Sequence, residues 1–183
     1  MIILEDSIYR PHPALNYSAA KSLLKSPKHF QASLHRKFEP SREMQIGTYV
    51  HEIVLEGKSP SYIVRPADID LRTKEGKAWR DKNAGREILS PDDDAAVRMA
   101  ADAVRKSADA QYLLGRCPNR EHGIVQTFGG IEIKGKLDAY GTDEAGKPII
   151  VDFKTTSNAD PEEWGRKAFS LRYPMQTAWY QSL

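Results

Sequence analysis

The stretch 135–156, GKLDAYGTDEAGKPIIVDFKTT, decides how this chain is read. Two short apolar segments flank a polar turn, and each carries an aspartate, Asp138 in the first and Asp152 in the second. Side chains alternate across a strand, so in PIIVDFK the pair Asp152 and Lys154 shares one face while Val151 and Phe153 share the other. A three-residue loop at Glu144-Ala145-Gly146 sets Asp138 directly opposite Asp152, with Cβ atoms about 5 Å apart. One residue more or less in that loop makes the aspartates diagonal or sends them to opposite faces, so the register is an expectation for the structure to test.

Two carboxylates so placed repel each other, and a hard divalent cation is the natural compensation. Mg²⁺ takes one or two carboxylates, keeps several waters and draws on phosphate oxygens of a substrate for the rest. Lys154 then orients the attacking water or stabilises the charge that develops on the phosphorane. The chemistry is metal-assisted phosphodiester hydrolysis. Taken alone, a D-x-K on an exposed strand is more often a solvated acid and base. Asp138 on the neighbouring strand brings the site reading level with that one.

The whole chain sets bounds around this stretch. Its 183 residues, 40% hydrophobic and 28% charged, suit one soluble globular domain with a real core. A formal charge of +2 permits a polyanionic partner without demanding one. The single cysteine, Cys117, excludes an internal disulfide framework and any four-cysteine zinc or iron–sulfur site, and implies a reducing compartment. The N-terminus, MIILEDSIYRPHP, has no basic segment followed by a long apolar run, and nothing approaches the roughly 20 apolar residues of a membrane span. A cytoplasmic protein with no membrane partner is expected.

Helix signals fill the first two thirds. NYSAAKSLLKSPKHFQASLHRKF offers two short helices, the first capped by Asn16 or Ser18, the second by Ser26 with Pro27 at its first position. In SREMQIGTYVHEIVLEG, Ser41 caps, Ile46, Val50, Ile53 and Val54 fall at helical spacing, Gly57 stops, and His51 lies inside. SYIVRP is a short extended segment, and RTKEGKAWRDKNAGRE has helical charge spacing suited to the surface. In SPDDDAAVRMAADAVRKSADAQYLLG one helix is expected, capped by Ser90, with Asp92, Asp93 and Asp94 as first-turn acids rather than a metal cluster. From Gly123 the period changes to two, predicting strands at Gly123 to Phe128, Ile131 to Tyr140 and Pro148 to Lys154. Helices return in DPEEWGRKAF, capped by Asp160, and YPMQTAWYQSL, so the class is α/β.

GKLDAY and IIVDFKTT, taken with GTYVHEIVLE and YPMQTAWY, resemble the PD-(D/E)XK nuclease superfamily. Within it they look like the RecE-type (exodeoxyribonuclease VIII-like) branch, related to phage lambda-type exonucleases and RecB-type nuclease domains. YSAAKSLLKSPKHF resembles the family's N-terminal helical corner and RTKEGKAW a segment ahead of its catalytic sheet, so the resemblance spans essentially the whole chain. The order G-x-x-x-H, D, D-x-K, Q-x-x-x-Y is specific in combination.

The resemblance implies a restriction-endonuclease-like core, a small central mixed β-sheet flanked by helices. It implies His51, Asp138 and Asp152 as metal ligands, the carbonyl of Phe153 as a further one, and Lys154 as the catalytic lysine. Gln176 and Tyr180 match Q-x-x-x-Y, and their i, i+4 spacing puts both on one helix face, in reach of water or DNA phosphate. Glu121 matches an acid that precedes the sheet. Ser18 and Lys21 resemble positions near a DNA-end pocket, where a helix N-terminus suits a 5′-phosphate, although plain capping is the simpler role for Ser18. Alone, His51 reads as a satisfied core histidine, and Gln176 and Tyr180 as packing on an amphipathic helix.

The implied activity is a Mg²⁺- or Mn²⁺-dependent exonuclease acting 5′ to 3′ on linear duplex DNA in phage or prophage recombination, with imidazole favouring Mn²⁺. A single-strand annealing protein and a ring-shaped homo-oligomer are the implied partners, in a bacterial or phage-infected cytoplasm. An endonuclease or junction resolvase, a CRISPR-associated or helicase-linked nuclease of the same fold, and a catalytically silent DNA-end-binding module remain open. Many CRISPR-type relatives carry a four-cysteine cluster that Cys117 alone cannot build. Members of the RecE-type branch usually continue beyond the position of Leu183, so residues 1–183 are expected to form a single domain without the family's C-terminal end.

Overall fold

The computed structural model describes residues 1–35, 39–57 and 61–183. In chain order the elements are β1 (Ile2–Leu4), α1 (Asp6–Tyr9), β2 (Leu15–Asn16), α2 (Tyr17–Ser22), α3 (Pro27–His35), α4 (Arg42–Val54), β3 (Tyr62–Val64) and α5 (Lys74–Lys82). There follow β4 (Glu87–Leu89), α6 (Pro91–Lys106), α7 (Ala108–Arg116), β5 (Asn119–Phe128), β6 (Ile131–Thr142), β7 (Pro148–Val151), α8 (Pro161–Ser170) and α9 (Tyr173–Gln181). They fall into two units, Met1–Glu39 with Tyr112–Leu183, and Pro40–Gln111.

The first unit is built on a mixed sheet in the order β1-β5-β6-β2, with β7 also paired to β6. β5 and β6 form an antiparallel hairpin that turns through Gly129 and Gly130, both at positive φ, as a two-residue turn between right-twisted strands requires. It buries Ile124, Val125, Ile133, Leu137 and Ala139, and since Ile124 and Val125 are consecutive, both faces of the hairpin are covered there. The other edge of β6 is shared: β2 runs parallel to it at Ile133 and Lys134, and β7 antiparallel to it from Ala139 to Thr142. Residues 135–138 face the gap between those two partners, and Asp138 lies in it.

The β6–β7 register is the expected one. Ala139 pairs with Val151 and Thr142 with Pro148, and the Asp143 N–H donates to the Lys147 carbonyl at 2.8 Å, closing a loop of residues 144–146. One further step along that register sets Asp138 opposite Asp152. The strand is shorter than expected, however, ending at Val151 rather than Lys154. Beyond it the Phe153 N–H donates to the Asp138 carboxylate at 2.6 Å, so a side chain takes the place of the next ladder bond. β5 starts at Asn119, four residues before the expected Gly123, so Glu121 lies inside the sheet and not ahead of it.

The helical corner also differs in detail. Asn16 caps α2, its side chain accepting the Ala19 N–H at 2.8 Å, and Ser18 lies within the first turn. Ser26 accepts the His29 N–H ahead of α3, as expected, while the expected end of that helix at residues 36–38 lies outside the described residues. α9 lies against the sheet, with Trp179 Nε1 donating to the Lys134 carbonyl and Gln126 Nε2 to that of Ser182, each at 3.0 Å. Gly135 permits this approach, since a Cβ there would stand 2.5 Å from Leu183 Cδ1 and 3.0 Å from Tyr180 Cε1.

In the second unit α4 packs on α6, burying Tyr49, Val50, Leu55, Val97 and Ala101, and β3 pairs in parallel with β4. Ser41 and Ser90 cap the two helices through their side chains. The helix expected to run through Gly115 is broken at Ser107, which is extended and starts α7 by accepting the Ala110 N–H. Asp93 pairs with Arg42, while Asp94 pairs with Arg98 at 2.8 Å and accepts the Tyr62 hydroxyl at 2.6 Å, so these are first-turn acids as read. No helix among the described residues is long and apolar enough to cross a membrane.

Candidate active site

Three carboxylates line up across the first unit's sheet. The pairs Arg120↔Ala139 and His122↔Leu137 put Glu121 of β5 opposite Asp138 of β6, and Ala139↔Val151 puts Asp152 on the far side of Asp138. Glu121 and Asp138 each offer a carboxylate oxygen, within 4.8 Å of one another. Glu121 takes a φ of 52° in mid-strand, a left-handed backbone that costs a non-glycine residue on the order of 1 kcal/mol or more. Such a conformation persists where its surroundings hold it.

Two lysines flank the row. Lys154 Nζ stands 2.6 Å from Asp152 Oδ2 and 5.4 Å from the centre of the Tyr173 ring. Lys136 Nζ stands 3.0 Å from Glu121 Oε2 and 3.1 Å from Asp6 Oδ1. Burial works against the charge of Lys136, but the hydrogen bonds and charges of Glu121 and Asp6 outweigh it, and its pKa lies above the ordinary lysine value.

The remaining oxygen of Asp152 carries the fit to a metal. Oδ1 is shut off from solvent and has no hydrogen-bond partner among the described residues. A carboxylate oxygen left so is costly, and a cation relieves it. Across β5 and β6, Glu121 and Asp138 bring carboxylate oxygens within 4.8 Å of one another, hard donors suited to Mg²⁺ or Mn²⁺.

α9 brings its motif to the same sheet end. Gln176 Nε2 donates to Tyr180 Oη at 2.7 Å, so the pair shares one helix face as the spacing predicts. Burial pushes the Tyr180 pKa up, the charges of Asp152 and Asp138 push it further, and the Gln176 hydrogen bond only partly offsets them. The phenol keeps its proton near neutral pH, as a donor beside two carboxylates.

Other expected residues stand as follows. The Phe153 carbonyl lies 3.5 Å from Lys154 Nζ, beyond ordinary hydrogen-bond length. Ser18 and Lys21 are on α2, with Lys21 Nζ 5.5 Å from the Tyr17 ring centre, and the Tyr17 hydroxyl donates to the Arg172 carbonyl at 2.6 Å, just ahead of α9. His51 is half-buried in the last turn of α4, in the other unit. Lys136 and Asp6 are additions to the sequence reading. The signal for Lys136 was its spacing, two residues before Asp138 and so on the same face of the strand; Asp6 had none, because only the fold brings α1 to β5.

A family model described as a PDDEXK-like domain of unknown function (DUF3799) matches residues 16–183, and the chain belongs to that family. No curated protein and no solved structure matches the chain. The description names the superfamily that the sequence motifs resemble and no branch within it. It makes this a nuclease-like domain, of a kind that generally uses divalent metals, with DNA as the substrate it suggests.

Proposed function

We propose that this chain is a divalent-metal-dependent exonuclease that degrades linear duplex DNA from its ends, 5′ to 3′, in phage or prophage recombination. The observation that carries the reading is Asp152, which directly follows the last β6–β7 pair beside Asp138, with Lys154 on one of its oxygens and the other buried without a hydrogen-bond partner among the described residues.

In this reading Asp138, Asp152, the carbonyl of Phe153 and His51 hold Mg²⁺ or Mn²⁺, with Glu121 beside them. Such an ion would supply Lewis-acid polarisation of the phosphate and a lowered pKa for the attacking water. Lys154 orients that water and stabilises charge on the phosphorane as a new P–O bond forms and one ester P–O bond breaks. Gln176 and Tyr180 hold a phosphate oxygen or the water through their donors. Ser18 and Lys21 meet phosphate at the DNA end. The chain works in a bacterial or phage-infected cytoplasm, in a ring of its own copies, and hands a 3′ overhang to an annealing protein.

The test is digestion of linear duplex DNA labelled at one end at a time, with Mg²⁺ or Mn²⁺, beside a chelator control and a covalently closed circle. Early loss of the 5′ label, an intact circle and full inhibition by chelator are expected. Early loss of the 3′ label would reverse the polarity, cutting of the circle would make the protein an endonuclease, and binding without cutting in either ion would make it a silent end-binding module.

A further inference from the structure

The opening stretch contains a mirror pair that the nuclease reading uses only by half: Lys136-Leu137-Asp138 on β6 and Asp152-Phe153-Lys154 after β7. Carried one step past its last pair, Ala139↔Val151, the register brings Asp138 opposite Asp152, and two steps further it would set ammonium against ammonium at 136 and 154. The two lysines instead part. Lys154 stays on Asp152, and Lys136 turns to Glu121 on β5 and Asp6 on α1.

Lys136 Nζ thus sits between two carboxylate oxygens from separate elements, 3.0 Å from one and 3.1 Å from the other. The second oxygen of Asp6 accepts from Arg10 Nε at 2.6 Å. Glu121 belongs to both neighbourhoods, with Asp138 on one side and Lys136 on the other. Two-metal phosphodiester sites place their ions about 3.5 to 4 Å apart with carboxylates shared between them. Here Asp138 and Glu121 bring carboxylate oxygens within 4.8 Å of one another, with Asp152 next along the register, while Glu121 and Asp6 converge on the ammonium of Lys136.

We propose that Lys136 is a built-in monovalent cation that fills the Glu121–Asp6 position and so limits the centre to one divalent ion. The inference rests on the metal-dependent nuclease reading and deepens it: with a second ion shut out, activation of the water falls to Lys154, the other half of the mirror pair.

The experiment counts bound Mn²⁺ by titration calorimetry and by electron paramagnetic resonance on the whole chain, with circular dichroism melting to confirm the fold of every variant. The wild type should bind one ion. Lys136→Met and Lys136→Gln should each bind two, with the dipolar broadening of a close Mn²⁺ pair, and Lys136→Arg should stay at one. Adding Asp6→Asn to Lys136→Met should return the count to one. A wild type that binds two ions, or folded Lys136→Met and Lys136→Gln proteins that bind only one, overturns the proposal and leaves the nuclease reading standing. A wild type that binds none overturns both.

Discussion

Asp138 accepts the backbone N–H of Phe153 at 2.6 Å, a side chain closing the ladder that β7 leaves open. The bond separates two roles for the same residue. Asn keeps a carbonyl acceptor for Phe153 and loses the charge, so Asp138→Asn should unfold in denaturant within about 0.5 kcal/mol of wild type while losing most of its Mn²⁺ affinity by calorimetry. Asp138→Ala strands the N–H and should cost about 1–3 kcal/mol as well. Asp152→Asn should likewise weaken the ion with little effect on the fold. Full metal affinity in either asparagine variant sinks the site assignment.

Much of this site was legible because it depends on local counting. The length of the loop at residues 144–146 set the register, while the spacing that puts Lys136 on the face of Asp138 went unread. What the sequence concealed depends on contacts between distant segments. Glu121 lies in Asn-Arg-Glu-His, which has no apolar alternation and is a strand only because β6 pairs with it. β1 and β2 are three and two residues long, too short to show a period. β7 stops early because Asp138, far from it in the chain, takes its next N–H. The break at Ser107 was readable in principle: a serine ahead of Ala-Asp-Ala is an N-cap signal, masked by apolar spacing that continues across it.

Gly135 tests the placement of α9. A Cβ there meets Leu183 Cδ1 at 2.5 Å and the Tyr180 ring at 3.0 Å, so in Gly135→Ala the tip of Leu183 and the Tyr180 ring have to give way. Overpacking of this kind costs about 1–3 kcal/mol. Thermal melting should show that loss, and kcat should fall while the number of bound Mn²⁺ ions is unchanged, because Gln176 and Tyr180 move and the carboxylates do not. Unchanged kcat in a protein destabilised as expected would show that the α9 pair only packs.

Tyr9 predicts an alkaline limit to stability. Burial first, and the charge of Asp6 second, push its pKa up to about 12 from an ordinary value of 10. Between those values the unfolded chain has released the phenolic proton and the folded chain still holds it. Stability therefore falls as pH rises through that window, by at most about 1.36 kcal/mol per pH unit, and Tyr9 contributes no slope below pH 10. Tyr9→Phe should show a shallower decline than wild type in denaturant unfolding across pH 10 to 12, and an identical decline would place the proton uptake elsewhere.

Lys21 tests the DNA-end role of the helical corner. α2 is only six residues long and its Ala19 N–H is already taken by the Asn16 side chain, so discrimination of a 5′-phosphate is expected to come from the charge of Lys21 with the Ser18 hydroxyl. Linear duplexes bearing a 5′-phosphate should be digested faster than those with a 5′-hydroxyl, and Lys21→Ala should erase the difference. Equal wild-type rates on both substrates remove the pocket.

Lys154 carries the sharpest expectation. Its ammonium lies 2.6 Å from Asp152 Oδ2, on the opposite oxygen from the one left without a donor, so it can act on the water and the phosphorane without competing for the ion. Lys154→Ala should retain Mn²⁺ affinity or raise it slightly through loss of a positive neighbour. DNA binding should fall only modestly, because many phosphate contacts share that work. Turnover should drop by about 10²- to 10³-fold or more, the usual effect of removing one preorganised charge from such a site. Near wild-type digestion of linear duplex DNA by Lys154→Ala would reduce the Asp152–Lys154 pair to an ordinary ion pair at a strand end.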